Sequence, residues 1–140
     1  MASIDHKLKT EIKIMPTHSS LTDAVQIYFD ALYECNIEKL NSVFHETSSL
    51  FDVDNGKVFV EPIDSFSRDV STRTSAQSKN QVREEEILMI DYLSPKCATV
   101  KIRLRAHQNV FVDHLGFVYG ENGWKIVSKI WHLEKLIEEV

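Results

Sequence analysis

Few side chains in this sequence combine reactive chemistry with telling spacing, and most of those lie between Phe111 and Trp131, in FVDHLGFVYGENGWKIVSKIW. Asp113 and Lys129 stand at nearly equal distances from Gly120-Glu121-Asn122-Gly123. If that cluster is a turn, the two face each other across a hairpin, as a structural ion pair or with Asp113 lining a pocket. His114 is the next acid–base candidate, either a proton carrier or a hydrogen-bonded core histidine. Adjacent residues of a strand point to opposite faces, so one cavity cannot take both Asp113 and His114 without a bulge. Two candidates lie earlier in the chain. Tyr28 falls on an apolar helical stripe, as a core residue with a satisfied hydroxyl or as a donor into a pocket. Asp52 precedes Asn55-Gly56, as a turn-stabilising carboxylate or as a base.

Other chemistries lack their residues. The six histidines, His6, His18, His45, His107, His114 and His132, show neither HxH nor HExxH spacing, so no protein-bound metal is expected. A glycine-rich phosphate loop and a GxSxG elbow are both missing, which leaves a site that needs no cofactor. Cys35 and Cys97 form no CxxC pair and read as reduced thiols. A net charge of -5 without a clustered Lys/Arg run argues against nucleic acid as a partner. No apolar run approaches the roughly 20 residues that span a bilayer, and the start lacks the apolar core of a secretory signal, so the expected compartment is the cytosol, with no membrane partner.

The elements that must position these residues can be read in order. A chain of 140 residues, 43% hydrophobic, suits a single domain. Residues 1–19 read as an N-terminal arm, 20–133 as the domain and 134–140 as a short amphipathic tail. Ser20 with Asp23 predicts a helix start, and Leu21, Val25, Tyr28 and Leu32 form its apolar stripe. Asn36 can cap a second helix carrying Leu40 and Val43. A strand through Leu50 and Asp52 turns at Asn55-Gly56 into Lys57-Val58-Phe59-Val60, and Pro62 then opens a third helix with Ile63, Phe66 and Val70. From Val82 onward the pattern is strand, with Ala98, Val100, Ile102 and Leu104 alternating against Thr99, Lys101, Arg103 and Arg105. In the closing hairpin, Phe111, Asp113, Leu115 and Phe117 share a face. Plain alternation sets Trp124, Ile126, Ser128 and Ile130 on one side of the last strand, and Lys125, Val127, Lys129 and Trp131 on the other. Helices followed by an antiparallel meander make an α+β fold, with the helices on one face of a curved sheet.

Two stretches carry a family resemblance. Tyr28-Phe29-Asp30-Ala31-Leu32-Tyr33-Glu34-Cys35-Asn36-Ile37-Glu38-Lys39-Leu40 resembles the two-helix opening of nuclear transport factor 2-like domains, and Gly123-Trp124-Lys125-Ile126-Val127-Ser128-Lys129 resembles their last strand. The resemblance covers about residues 20 to 132 and is nearest to the SnoaL-like, lumazine-binding group. It implies a cone-shaped fold with an internal pocket and a homodimer formed through the sheet. Ketosteroid isomerase-like members of the superfamily carry a tyrosine on the first helix and an aspartate on the first strand, and those positions fall on Tyr28 and Asp52. The implied chemistry makes Asp52 the base and Tyr28 the donor, with Asp113 or His114 assisting. The second acid of that type falls at or near Gly116, where this sequence has none.

Three functions follow as expectations. One is a cofactor-independent isomerase or dehydratase that moves a proton on an apolar carbonyl compound. Another is a non-catalytic pocket for a small apolar or heterocyclic ligand, with Leu50, Phe111, Phe117 and Trp131 among its lining residues. The third is an interaction module whose basic sheet face, Lys101, Arg103 and Arg105, meets an acidic partner.

Overall fold

The computed structural model describes residues 15–138. Helix α1 spans His18–Glu34 and α2 Ile37–Val43. Strands β1 Phe44–Asp54 and β2 Lys57–Pro62 form the first hairpin and lead into α3 Ile63–Ser71. A 3-10 turn at Gln77–Lys79 precedes β3 Glu85–Ser94, β4 Cys97–Ala106, β5 Asn109–Gly120 and β6 Gly123–Leu136. The six strands lie in the order β2-β1-β6-β5-β4-β3, and every neighbouring pair is antiparallel except β1 with β6.

Local chemistry sets most of these bounds. The start of α1 lies earlier than the sequence predicts, because the cap is Thr17 and not Ser20. The Thr17 hydroxyl accepts from the Ser20 N–H at 3.2 Å, and the Ser20 hydroxyl accepts from the Thr17 N–H at 3.2 Å. Two hydroxyls thus form the reciprocal box that an acid was expected to complete. Cys35 ends the helix in a left-handed conformation at φ 50, and Asn36 then caps α2 by accepting from the Lys39 N–H at 3.0 Å. Asn55-Gly56 turns the first hairpin with both φ positive, as expected.

The helices cover the concave face of the curved sheet. Leu21, Val25 and Tyr28 of α1 are fully buried against Val100, Ile102, Leu115 and Ile126 of the inner sheet face. The opposite face carries the charged row of β4, as the alternation predicts. Two readings change. Residues 134–136 are not a separate tail, since Lys135 pairs with Val110 and Leu136 with Asn109 to extend β6. Residues 1–14 of the predicted arm and residues 139–140 lie outside the described residues.

The second change concerns the faces of β6. Gly116 pairs with Ser128 but Phe117 pairs with Ile126, so β6 carries one residue, Val127, more than its partner at that point. This bulge reverses the alternation beyond it. Trp124 and Ile126 point inward before the bulge, and Lys129 and Trp131 point inward after it, while Ile130 is 56% exposed.

Candidate functional site

A cavity of about 420 Å³ lies between the helices and the inner sheet face. Its walls are largely apolar: Leu32 and Cys35 come from the end of α1, Phe66 and Val70 from α3, Leu50 from β1, Leu104 and Ala106 from β4, Phe111 from β5 and Trp131 from β6. Phe111 and Trp131 meet edge to face at 6.0 Å between ring centres. Arg73, Thr74, His107 and Asn109 line the end nearest solvent. His107 sits at the β4–β5 turn with φ 56, and its ring nitrogen Nε2 lies 2.8 Å from the Thr74 carbonyl. That contact ties the loop after α3 to the sheet.

The closed end is polar. Asp113 and Lys129 line it, and Tyr28 lies directly behind them, fully buried. The Tyr28 hydroxyl donates to Asp113 Oδ2, and Lys129 Nζ lies 3.7 Å from the same oxygen. Asp113 Oδ1 is buried and has no hydrogen-bond partner among the described residues. Asp113 pairs across the hairpin with Trp131, so Lys129 is its diagonal neighbour on the inner face. Lys129 Nζ also lies 4.6 Å from the centre of the Phe66 ring and 5.4 Å from that of Tyr28. Glu61, brought in beside Leu50 by the β1–β2 pairing, adds a second carboxylate to the wall.

Burial shapes the protonation of this cluster. It pushes the Tyr28 hydroxyl well above its ordinary value, and the Asp113 carboxylate raises it further. It also holds the Lys129 amine below the ordinary lysine value, against the opposing pull of Asp113. A neutral phenol donor is therefore paired with an acceptor oxygen, and the amine gives up its proton more readily than a lysine in water.

The site residues suggested by sequence fall in different places. Tyr28 and Asp113 meet at the closed end, and Leu50, Phe111 and Trp131 line the cavity. Asp52 does not line it. Beyond Leu50 the β1–β2 hairpin runs past the helical layer, and Asp52 pairs with exposed Phe59 near its tip. His114 lies on the outer sheet face, exposed and opposite Ile130. Phe117 is core, packed edge to face on Trp124 at 6.4 Å, and does not reach the cavity. The basic row of β4 is met by acids of the same chain: Arg103 lies 2.8 Å from Glu86 and 3.1 Å from Glu134, and Arg105 lies 2.8 Å from Glu84. Sequence reasoning missed Glu61, Phe66, Arg73 and His107 as lining residues. Phe66 could have been found, because its stripe partners Ile63 and Val70 already marked the buried face of α3.

The family described as Putative lumazine-binding matches residues 16–132. No curated protein matches the sequence. Among solved structures, an NTF2-like protein of unknown function from Shewanella baltica is 18% identical, with a TM-score of 0.74 over 86% of this chain and 98% of that one. An NTF-2 like protein of unknown function from Silicibacter pomeroyi is 20% identical, with a TM-score of 0.73 over 83% of this chain and 94% of the other. A ketosteroid isomerase-like protein from Erwinia carotovora atroseptica is 10% identical, with a TM-score of 0.63 over 84% and 95% of the two chains.

Proposed function

The chain belongs to the Putative lumazine-binding family and has the NTF2-like fold, and from that premise we propose that it binds a small apolar or heterocyclic molecule in its cavity and moves a proton on it. One observation carries this reading: the closed end of an apolar cavity holds a carboxylate, Asp113, with one oxygen buried and unpartnered. Leaving such an acceptor unmade costs about 1–3 kcal/mol, and a ligand N–H or O–H placed there recovers it. The family description supports a bound small molecule, and the ketosteroid isomerase-like neighbour supports proton transfer next to a carbonyl.

In this reading Asp113 takes the role that the resemblance gave to Asp52. Its free oxygen abstracts a proton α to a carbonyl, and Tyr28 steadies the other oxygen of the same carboxylate. Lys129 supplies the positive counterpart to the charge that develops on the substrate. The reaction class is a cofactor-independent isomerisation or dehydration.

A thermal-shift screen with ketones and flat heterocycles tests the binding. The expected result is a raised midpoint for at least one class, accompanied by a change in Trp131 emission. Incubating that compound with the protein in heavy water then tests the chemistry: its α-hydrogens should exchange with the wild type and not with Asp113→Asn. If no compound raises the midpoint or alters the emission, the cavity is not a binding site. If binding occurs without exchange, the protein is a non-catalytic ligand carrier.

A second copy of the chain is the other proposed partner, docked on the outer sheet face. Val53, Val58, Val60 and Ile130 are all about half or more exposed there, which is more contiguous apolar surface than scattered side chains account for. The proposed setting is the cytosol, which the unpaired thiols Cys35 and Cys97 suit. No helix among the described residues is long and apolar enough to cross a membrane.

A further inference from the structure

Resting on the cavity reading above, we propose that Lys129 is a nucleophile that forms a Schiff base with an aldehyde or ketone held in the cavity. A lysine ammonium has three N–H donors to satisfy. The ion-pair partner of Lys129 among the described residues, Asp113 Oδ2, is 3.7 Å from Nζ, beyond hydrogen-bond length, and the Tyr28 hydroxyl already donates to that oxygen. Around the amine lie the rings of Phe66 and Tyr28, and its side chain is 8% exposed. Other lysines of the chain are bonded differently: Lys39 lies 2.9 Å from a Glu34 oxygen, and the Lys125 ammonium donates to the Ser42 carbonyl. Lys129 is thus a poorly solvated amine aimed into the chain's apolar cavity, the setting that activates lysine as a nucleophile. Its burial lowers the proton affinity of the amine in the same sense.

Asp113 supplies the proton traffic that imine formation needs. Its carboxylate takes a proton from the ammonium, and the freed lone pair of Nζ forms a bond to the carbonyl carbon as the C=O π pair moves onto oxygen. Asp113 returns that proton to the oxygen and removes a second one from the nitrogen, which leaves a neutral carbinolamine. It then protonates the hydroxyl, which departs as water while the nitrogen lone pair closes the C=N bond. Ammonium plus carbonyl has become protonated imine plus water, and Asp113 is again a carboxylate. No oxidant or reductant enters. One positive and one negative charge stand side by side at the start and at the end, and the net charge of the buried site stays zero through every step between. The protonated imine is also a stronger electron sink than a carbonyl, so the same Asp113 oxygen can remove the α-proton next.

Reductive trapping tests this directly. The protein is incubated with acetaldehyde, benzaldehyde or cyclohexanone, all small enough for a cavity of about 420 Å³, together with sodium cyanoborohydride, and the modified lysines are mapped by peptide mass spectrometry. The expected result is rapid single modification of the peptide containing Lys129. Because burial among apolar side chains keeps the Lys129 amine poorly solvated and beside the bound carbonyl, that rate should exceed the rates at the exposed Lys57, Lys79 and Lys135 by about tenfold or more. Lys129→Met should lose the fast label. Should that variant not fold, the exposed lysines of the wild type provide the control within the same molecule. Label on the exposed lysines alone, with the same compounds raising the thermal midpoint, overturns the nucleophile and leaves the cavity reading standing. Neither label at Lys129 nor a thermal shift overturns both.

Discussion

Tyr28 and Lys129 both approach one oxygen of Asp113, and the three groups behave as a unit in which removing any member exposes the others. Tyr28→Phe keeps the ring packed and removes only the donor, so it should destabilise the fold by about 1–3 kcal/mol in urea unfolding. The effect should depend on pH. Burial holds the Tyr28 hydroxyl above its ordinary 10.0, so the unfolded chain loses that proton first; the stabilisation is complete below pH 10.0 and falls away as pH rises through the folded value. Lys129 acts in the opposite sense. Its folded value lies below the ordinary 10.5, so its contribution is present above pH 10.5 and is lost as pH falls through the folded value. Unfolding measured from about pH 8 to about pH 11 should therefore show the gap between wild type and Tyr28→Phe narrowing on the alkaline side. Asp113→Ala leaves Lys129 buried without its partner and should cost about 3–5 kcal/mol, whereas Asp113→Leu combined with Lys129→Met should recover most of that loss. The nearness of Asp113 and Lys129 was legible in the sequence, because both lie at about the same distance from one turn, but their shared face was not, since that count leaves out the bulge at Val127. The placing of Asp52 was not, because alternation gives its face of β1 but not where the helical layer above that strand ends.

At the scale of elements, the bulge in β6 decides what the cavity contains. A regular strand would turn Ser128 and Ile130 inward, and the extra residue at Val127 turns in Lys129 and Trp131 instead. The close fit at this point is measurable. A Cβ added at Gly116 would lie 2.6 Å from Ser128 Oγ, so Gly116→Ala must rotate or displace that hydroxyl. The expected cost is about 1 kcal/mol or more in chemical denaturation, and Gly116→Ala with Ser128→Ala should recover most of it. The Asn36 cap, the Asn55-Gly56 turn, the Gly120–Gly123 turn and the apolar stripes were legible, since each depends on residues within a few positions. A bulge is a mismatch between two strands, and on β6 alone the residues on both sides of Val127 alternate normally. The hydroxyl box at Thr17 was missed for a related reason: Ser20 is a good cap by type, and only the pairing with Thr17 shows which residue precedes the helix.

For the whole molecule, the order of helices and meander was enough to give the fold, because consecutive strands pair with one another in all but one place. The exception, β1 beside β6, carries a shift of register between Phe44 and Ser49, which no local pattern announces. The outer face of the sheet carries the prediction that belongs to this scale. Val58→Lys together with Ile130→Lys should shift the protein from dimer to monomer in light scattering and leave cavity binding unchanged, since both side chains point away from it. A monomeric wild type would remove the proposed second copy. The Asp113–Lys129 pair has a further consequence, for the fidelity of folding. An unbulged β6 starting from the same turn would set Lys129 opposite His114 on the outer face and Asp113 opposite Ile130. Asp113 would then be buried as a lone charge, at a cost of about 3–5 kcal/mol. The ion pair thus proofreads the alignment of two strands: it adds little net stability and excludes one competing arrangement. Asp113→Leu with Lys129→Met lifts that penalty, so this variant should be stable yet show two sets of amide resonances, one for each way of laying β6 against β5.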